Sequence, residues 1–131
     1  MAEHPNVALL RTAYEAFANL DVGVLTERIA PDAVWHVTGH HTFSADYKGH
    51  DEILGLFATL AQETDGTLSL EVHDILADDD HGVVLLTERA ERNGRKLDAN
   101  EVHVFHIDKQ GKASEFWEFP ADQRSYDSFW S

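Results

Sequence analysis

The sequence predicts an α+β fold in which a twisted, mostly antiparallel β-sheet packs against helices. Two observations support this class. Three stretches in the first half of the chain have the apolar spacing of amphipathic helices, and the second half has the alternating pattern of strands joined by tight turns. Two helices, one strand, one helix and then four strands are typical of an α+β layout, not of repeated βα units.

Three helices are predicted in the first half of the chain. Apolar residues recur every three or four positions over residues 6–20 and 50–63, which gives each of these helices one apolar face. A shorter helix is predicted over residues 22–29, where Asp21 can cap the N-terminus. Tyr14 lies on the apolar face of the first helix, so its hydroxyl group needs a partner inside the protein.

Two strands are predicted before the last part of the chain. The first covers residues 33–38, where Trp35 and His36 fall on opposite faces because successive side chains of a strand alternate. Residues 39–48 are small and polar and predict a loop whose two histidines are expected to be exposed. Apolar residues alternate again over residues 67–77, which predicts the next strand.

The stretch from residue 83 to residue 119 predicts three strands joined by two hairpins. The turns are Asn93-Gly94 and Gln110-Gly111, and Asn-Gly between strand-like runs is a strong hairpin signal. Two-residue loops would fix the register of both hairpins. That register pairs Glu91 with Lys96, Ala90 with Leu97, Leu86 with Glu101, Val84 with His103, Asp108 with Ala113, Phe105 with Phe116 and His103 with Glu118.

The predicted register sorts the side chains of these three strands onto two faces. One face is an ordinary apolar packing surface made of Val83, Leu85, Thr87, Val102, Val104, Trp117 and Phe119. The other face mixes apolar and ionisable side chains: Val84, Leu86, Glu88, Ala90, Glu101, His103, Phe105, Phe116 and Glu118. Because burying a charge is costly unless it is paired or hydrogen-bonded, the second face predicts either a built polar site or a solvated edge.

Composition and charge bound the function. The 131 residues predict one domain over residues 1–131, and the 43% of apolar residues suffice for a core. The formal net charge of −14 opposes binding to nucleic acid or to an anionic membrane, and no Gly-rich phosphate loop occurs. The chain has no cysteine, no signal-peptide pattern and no apolar run near the roughly 20 residues of a membrane helix, so a cytoplasmic location is expected.

A diffuse pattern runs along nearly the whole chain. It comprises residues 6–19, residues 30–39, Tyr47-Lys48-Gly49 ahead of a helix, residues 102–112, Glu115-Phe116-Trp117-Glu118, Asp122-Gln123-Arg124 and Phe129-Trp130. With this pattern the chain resembles the nuclear-transport-factor-two-like superfamily, and within it the SnoaL-like and ketosteroid-isomerase-like domains. The resemblance implies a cone-shaped domain, in which a curved, mostly antiparallel sheet wraps around three helices of the N-terminal half and encloses a deep, mostly apolar pocket.

The resemblance also implies roles for four residues. In ketosteroid isomerases a tyrosine on the first helix donates to the substrate oxygen, and Tyr14 occupies that place. Two histidines, His36 and His103, stand where the isomerases have the general-base aspartate and the protonated aspartate, a departure that argues against steroid isomerisation. In SnoaL-like polyketide cyclases the acid/base carboxylate lies on the last strand near a histidine of the neighbouring strand, as Glu118 lies beside His103 in the predicted register.

Proton transfer next to a carbonyl group needs a base near the carbon and a donor near the oxygen. His36 is one candidate base, Glu118 oriented by His103 is the other, and Tyr14 is the candidate donor. Glu118 and Glu101 on either side of His103 are expected to favour its imidazolium form. The alternative to a catalytic pair is a structural cross-strand pair. The other residues expected to bind the ligand are Trp35, Tyr47, Phe57, Glu88, Glu101 and Phe116.

The sequence therefore predicts an enzyme that applies cofactor-independent acid/base catalysis to a mostly apolar small organic ligand. Isomerase, cyclase and hydratase chemistry are the leading options, with hydrolase or lyase chemistry also open. The alternative is a non-catalytic module of the same fold that binds a ligand or a protein. No metal site is expected, because a site drawn from His36, Glu101, His103 and Glu118 lacks a fixed ligand spacing.

A homodimer is expected, since many members of the superfamily are homodimers and the sheet has more apolar surface than three helices can cover. The face that carries Trp117 and Phe119 is the candidate interface. The aromatic tail is expected to cover a cavity mouth or to pack on a second subunit through Tyr126, Phe129 and Trp130.

Overall fold

The structure is a computed structural model that describes residues 3–131. Over this range the chain forms four helices and six strands. The helices are α1 (Pro5–Ala18), α2 (Val22–Arg28), α3 (Gly49–Glu63) and α4 (Gln123–Trp130). The strands are β1 (Ile29–Val37), β2 (Ala45–Lys48), β3 (Ser69–Ala77), β4 (His81–Arg92), β5 (Arg95–Ile107) and β6 (Ala113–Pro120). The predicted α+β class is confirmed.

The six described strands form one open sheet in the order β2-β1-β6-β5-β4-β3. Four of the neighbouring pairs are antiparallel, and β1 and β6 run parallel. Strand β6 therefore lies between β1 and β5 and joins the strands of the two halves of the chain in one sheet. The mostly antiparallel sheet expected from the sequence is confirmed.

Both predicted hairpins form. Asn93 and Gly94 have φ values of 53° and 77°, as a two-residue hairpin loop that suits the strand twist requires. Strand β4 pairs with β5 in the predicted register, from Glu91 opposite Lys96 to Val84 opposite His103.

The register across the second hairpin is correct near the site and wrong at the turn. His103 lies opposite Glu118, as predicted. The predicted pair of Asp108 with Ala113 does not form, because the register shifts and places Ile107 opposite Ala113. The Asp108 carboxylate accepts hydrogen bonds from the backbone N–H groups of residues 110 and 112, at 2.9 and 3.0 Å, which stabilises a longer loop than the prediction assumed.

The sheet buries one face and leaves the other partly open. Val84, Leu86 and Phe105 point inward and belong to the main core, which the helices complete. Fully burying such a side chain stabilises the fold by about 1.5–3 kcal/mol. On the outer face Leu85 and Phe119 remain 38% and 49% exposed. The predicted face that mixes apolar and ionisable side chains is therefore the buried face of the sheet. The predicted apolar face points outward.

Strand β1 begins earlier than predicted and passes through Pro31. Proline cannot donate a hydrogen bond to a sheet, so it is confined to edges and irregular positions. Pro31 falls where the pairing of β1 with β6 shifts register, between Ile29 and Val34, so the irregular pairing accommodates it.

Two elements were not predicted. Strand β2 lies in the segment expected to be a loop and pairs with β1, but its four residues are too few to show an alternating pattern. Helix α4 lies in the aromatic tail, where the Asp122 side chain accepts a hydrogen bond from the Ser125 backbone N–H at 3.2 Å and caps the helix. This helix buries Tyr126, Phe129 and Trp130 against the inner side of the chain itself.

Helix α4 also holds the loop that follows β1. Gly39 has a φ of 87°, and a Cβ atom at this position would collide with the side chains of Gln123 and Asp127. The Asp127 carboxylate accepts a hydrogen bond from the His40 backbone N–H at 3.1 Å. The position therefore requires glycine, and the loop is fixed beside the core.

Among residues 3–131, no helix combines the length and the apolar character that a membrane span requires.

Candidate active site

A cavity of about 120 Å³ lies between the inner face of the sheet and the helices. Most of its wall is apolar, and much of that wall is aromatic. The aromatic lining residues are Tyr14, Phe17, Trp35, Phe43, Phe57, Phe105, Phe116, Tyr126 and Trp130. The predicted apolar pocket is therefore present in the fold. Polar side chains enter its wall from β4, β5 and β6, where the mixed face of the sheet meets the cavity.

A chain of three side chains runs from α1 to β5. The Tyr14 hydroxyl lies 2.5 Å from His103 Nδ1, and His103 Nε2 lies 3.0 Å from a carboxylate oxygen of Glu101. A neutral imidazole has one donor and one acceptor nitrogen, so when Glu101 is ionised Nε2–H donates to it and Tyr14 donates to Nδ1. Glu101 and His103 sit on the same face of β5 because they are two residues apart.

A second polar group joins β4, β6 and α4. The Tyr126 hydroxyl contacts the carboxyl group of Glu88 at 2.9 Å and that of Glu118 at 3.3 Å. All three residues are less than one-tenth exposed. Helix α4 thus supplies the polar partner for two carboxyl groups that the sheet alone would leave without one.

Burial decides the protonation of this cluster. It raises the pKa of Glu118 to about 8 and that of Glu101 to about 7, because the charged carboxylate loses its hydration. Burial also raises the pKa of Glu88 well above its usual value, and the neighbouring carboxyl group of Glu101 raises it further. At neutral pH the cluster therefore holds protons that exposed carboxyl groups would have released.

The expectation that His103 is an imidazolium is wrong. Burial lowers the pKa of His103 to about 4, and the attraction of Glu88 for the charged form is weaker than this loss of hydration. The neighbouring carboxyl groups hold protons themselves, so they offer little negative charge to stabilise a cation. His103 is a neutral link in the polar chain.

Two carboxyl oxygens of the cluster, Glu101 Oε2 and Glu118 Oε1, are buried without a hydrogen-bond partner among residues 3–131. Buried polar groups without partners are rare, so each of these two oxygens calls for an explanation. His103 and one oxygen from each of Glu101 and Glu118 lie within 4.8 Å of one another, a spacing that one divalent metal ion could bridge. The four-residue set considered from the sequence does not form, because His36 lies elsewhere.

The structure does not bring His36 to the cavity. Its ring stacks on Trp117 on the outer face of the sheet, with centroids 5.0 Å apart. Its two ring nitrogens lie 2.7 Å from carboxylate oxygens of Asp46 and Glu115. Partial burial opposes the charged form, but the hydrogen bonds with Glu115 and Asp46 outweigh it and raise the pKa of His36. The geometry excludes a base that reaches the cavity and makes His36 part of an ion-pair network.

The remaining predicted residues divide between cavity wall and support. Trp35, Phe57 and Phe116 line the cavity, and Trp35 stacks on Phe116 with centroids 4.6 Å apart. Glu88 also lines it. Tyr47 does not line the cavity. Its hydroxyl group donates to the carbonyl oxygen of Phe43 at 2.8 Å and supports the loop.

Tyr126, Trp130 and His41 line the cavity, although none of them was among the expected catalytic or ligand-binding residues. Tyr126 and Trp130 arrive on α4, whose four-residue spacing of aromatic residues was the available signal. His41 was expected to be exposed, but it lines the cavity and its ring packs 5.7 Å from the ring of Tyr126. No sequence pattern indicates this, since the position of His41 depends on the contact of its loop with α4.

Comparison with known proteins identifies the family. The family model of the SnoaL-like domain matches residues 10–116. An uncharacterised protein of Mycobacterium tuberculosis is 30% identical over 132 residues, and the match covers 100% of both chains. The chain belongs to the SnoaL-like domain family.

Solved structures agree with this assignment. Bal32a, from a soil-derived mobile gene cassette, is 31% identical with a TM-score of 0.92, and the match covers 96% of each chain. An NTF2-like protein from Burkholderia pseudomallei is 24% identical with a TM-score of 0.84, covering 96% of this chain and 97% of the other. IdmH, a candidate polyketide cyclase from Streptomyces antibioticus, is 21% identical with a TM-score of 0.73, covering 90% and 93%. The predicted SnoaL-like domain is confirmed, and these structures share its fold.

Proposed function

We propose that this protein is a cofactor-independent acid/base enzyme that acts on a mostly apolar small organic molecule by isomerisation, aldol-type cyclisation or hydration. The observation that carries the proposal is the environment of Glu118. Its carboxyl group is 7% exposed and lies in the wall of an apolar cavity, with one oxygen near Tyr126 and the other without a partner among residues 3–131. A pKa of about 8 suits a group that both gives and takes a proton near neutral pH.

In this proposal Glu118 exchanges a proton directly with the ligand. As the acid it donates to a carbonyl or hydroxyl oxygen, and as the carboxylate it removes a proton from the carbon beside a carbonyl group. Tyr14 donates to His103 and keeps lone pairs on the cavity side, so a ligand hydroxyl group can donate to it. Glu101 fixes the orientation of His103. The candidate cyclase IdmH agrees with this chemistry, although its likeness to this chain concerns the fold alone.

The test is the turnover of the Glu118→Gln variant. Ligands are first found by a thermal-shift screen of aromatic and polycyclic ketones, phenols and epoxides, and each hit is assayed for conversion by mass spectrometry. Glu118→Gln is expected to lower turnover by about 10²- to 10⁴-fold, the usual contribution of one acid/base group, while the dissociation constant stays within a few-fold.

The matched control is Glu115→Gln, which makes the same change on the same strand but on the outer face, near His36. It should leave turnover unchanged. Full turnover by Glu118→Gln would show that Glu118 takes no part in the reaction. A wild-type protein that binds hits but converts none would favour the alternative function, a non-catalytic ligand-binding module.

A protein-interaction role draws support from the outer face of the sheet. Over β4, β5 and β6 this face presents Val83, Leu85, Val102, Val104, Trp117 and Phe119, and no described helix covers it. An exposed apolar patch of this kind is typical of an interface. We propose that a second copy of this chain packs on it and forms a homodimer.

Sedimentation of the Phe119→Glu variant tests the homodimer. Phe119 is 49% exposed on this face, so a charge there would be buried without a partner in a dimer and should convert the protein to a monomer. Val22→Glu, at a position 56% exposed on α2, should leave the dimer intact. A wild-type protein that sediments as a monomer at micromolar concentration would rule out the proposal.

A further inference from the structure

Arg28 is an arginine in the cavity wall that makes no side-chain hydrogen bond or ion pair within residues 3–131. It ends α2, is half-buried, and is the single lysine or arginine among the described residues that line the cavity. Its Nε atom is buried without a hydrogen-bond partner, and none of the 24 acidic residues forms an ion pair with it within residues 3–131. A guanidinium group carries five donors in a planar fork, and leaving the buried Nε–H without an acceptor is energetically unfavourable.

The other half-buried arginine among residues 3–131 shows which contacts this fold gives to a guanidinium group. Arg92 has a side chain 10% exposed, and it pairs with Glu63 at 2.8 Å and donates to backbone carbonyl oxygens of residues 129 and 131. Arg28 is also half-buried but makes no such contact among the described residues. A ligand in the cavity could supply the hydrogen-bond acceptor that Arg28 lacks.

Arg28 and the carboxyl cluster lie at different positions along the cavity. Arg28 directly precedes Ile29, which pairs with Ala113 at the start of β6, and Glu118 follows five residues later on that strand. At a rise of about 3.3 Å per residue this is roughly 16 Å along β6. A ligand that contacts both side chains must span the wall between them, which is apolar and aromatic.

We infer that the ligand is a monoanion with an apolar body, and that Arg28 binds its carboxylate or an equivalent oxyanion while an oxygen at the other end reaches Glu118. This inference rests on the proposed function, because it takes the cavity as the ligand site. The carboxyl cluster does not oppose an anion at neutral pH, since burial keeps protons on Glu88 and Glu118. Arginine matches a carboxylate through two parallel hydrogen bonds, which is stronger than a contact between neutral groups.

The test compares two probes of equal shape: a biphenyl carboxylate and the corresponding biphenyl carboxamide, each with an acetyl group at the far end. Titration calorimetry on the wild-type protein should give a dissociation constant about tenfold or more lower for the carboxylate. Arg28→Gln should abolish that preference, and Arg28→Lys should keep part of it. The control Arg124→Gln removes an exposed arginine of α4 and should keep the preference in full.

Three results would overturn the inference. They are equal binding of both probes by the wild type, binding of neither, and a preference that survives Arg28→Gln. Thermal melts of each variant confirm that it is folded. The readout requires no turnover, and Glu118→Gln should leave the preference for the carboxylate intact, so a failure of this inference is distinguishable from a failure of the proposed catalysis.

Discussion

Truncation of Trp130 to alanine is expected to lower the free energy of unfolding by about 3–5 kcal/mol, the range for removing a fully buried large aromatic side chain. Trp130 is 1% exposed, and its ring packs edge-on against Phe129 and Phe43 at centroid distances of 4.8 and 5.7 Å. The indole also lines the cavity, so the void left behind cannot easily collapse. Urea denaturation at constant pH measures the change.

Leu76→Ala is the control for Trp130→Ala, because Leu76 is 52% exposed and its truncation should cost well under 1 kcal/mol. If the two variants have similar midpoints and slopes, α4 does not pack on the core as described. A large loss for Trp130→Ala alone would establish that the C-terminal helix is part of the cooperative unit.

Raising the pH from about 6.5 to about 8 is expected to lower the free energy of unfolding by about 2–4 kcal/mol. The folded-state pKa values of Glu101 and Glu118 are raised to about 7 and about 8 from 4.5, and that of Glu88 is also raised. Over this window the unfolded chain has released these protons while the folded protein still holds part of them. Stability therefore falls as pH rises, until the folded protein has released them too.

Two histidines also change how the free energy of unfolding depends on pH. The pKa of His103 in the folded protein is lowered to about 4 from 6.5, so the unfolded chain binds its proton first as the pH falls. Stability is therefore lost as the pH falls from about 6.5 towards 4. His36 has a raised pKa, so its contribution is present at low pH and is lost as pH rises through the folded value, in the same direction as the carboxyl groups. Maximum stability is therefore expected on the acid side of neutrality.

Chemical denaturation at four pH values across this window measures the slope. Glu118→Gln keeps the shape of the carboxylic acid without its ionisation, so this variant should show a shallower slope and should exceed the wild type in stability near pH ~8. Glu15→Gln changes an exposed carboxylate and should leave the slope unchanged. A wild-type stability that is flat or rises between these pH values contradicts the buried, protonated cluster.

The sequence predicts β4, β5 and β6 because the turn residues and the alternation that define them are local signals. Asn93-Gly94 has the backbone freedom of a hairpin turn, and once that turn is placed the alternation of side chains puts His103 and Glu118 on one face. The second turn was misjudged by one position because the Asp108 side chain competes for backbone N–H groups, an interaction that a two-residue template omits.

The site was harder to predict because it depends on what lies behind each strand. The faces of Trp35 and His36 were separated correctly, yet the resemblance to isomerases assigned His36 to the pocket, whereas it stacks on Trp117 outside. The charge of His103 depends on a competition between burial and nearby carboxyl groups that no local pattern reports. Tyr126 completes the cluster from a helix whose docking is a tertiary event.

The parallel pairing of β1 with β6 has a consequence for synthesis on the ribosome. Strand β1 emerges early and can pair with β2 on one edge, but its other neighbour, β6, is synthesised more than 70 residues later, so the backbone N–H and C=O groups on that edge remain unpaired until then. Unpaired edges of this kind are prone to aggregation, and long-range pairing slows folding. The nascent chain therefore completes both its sheet and its cavity only after β6 and α4 have been synthesised.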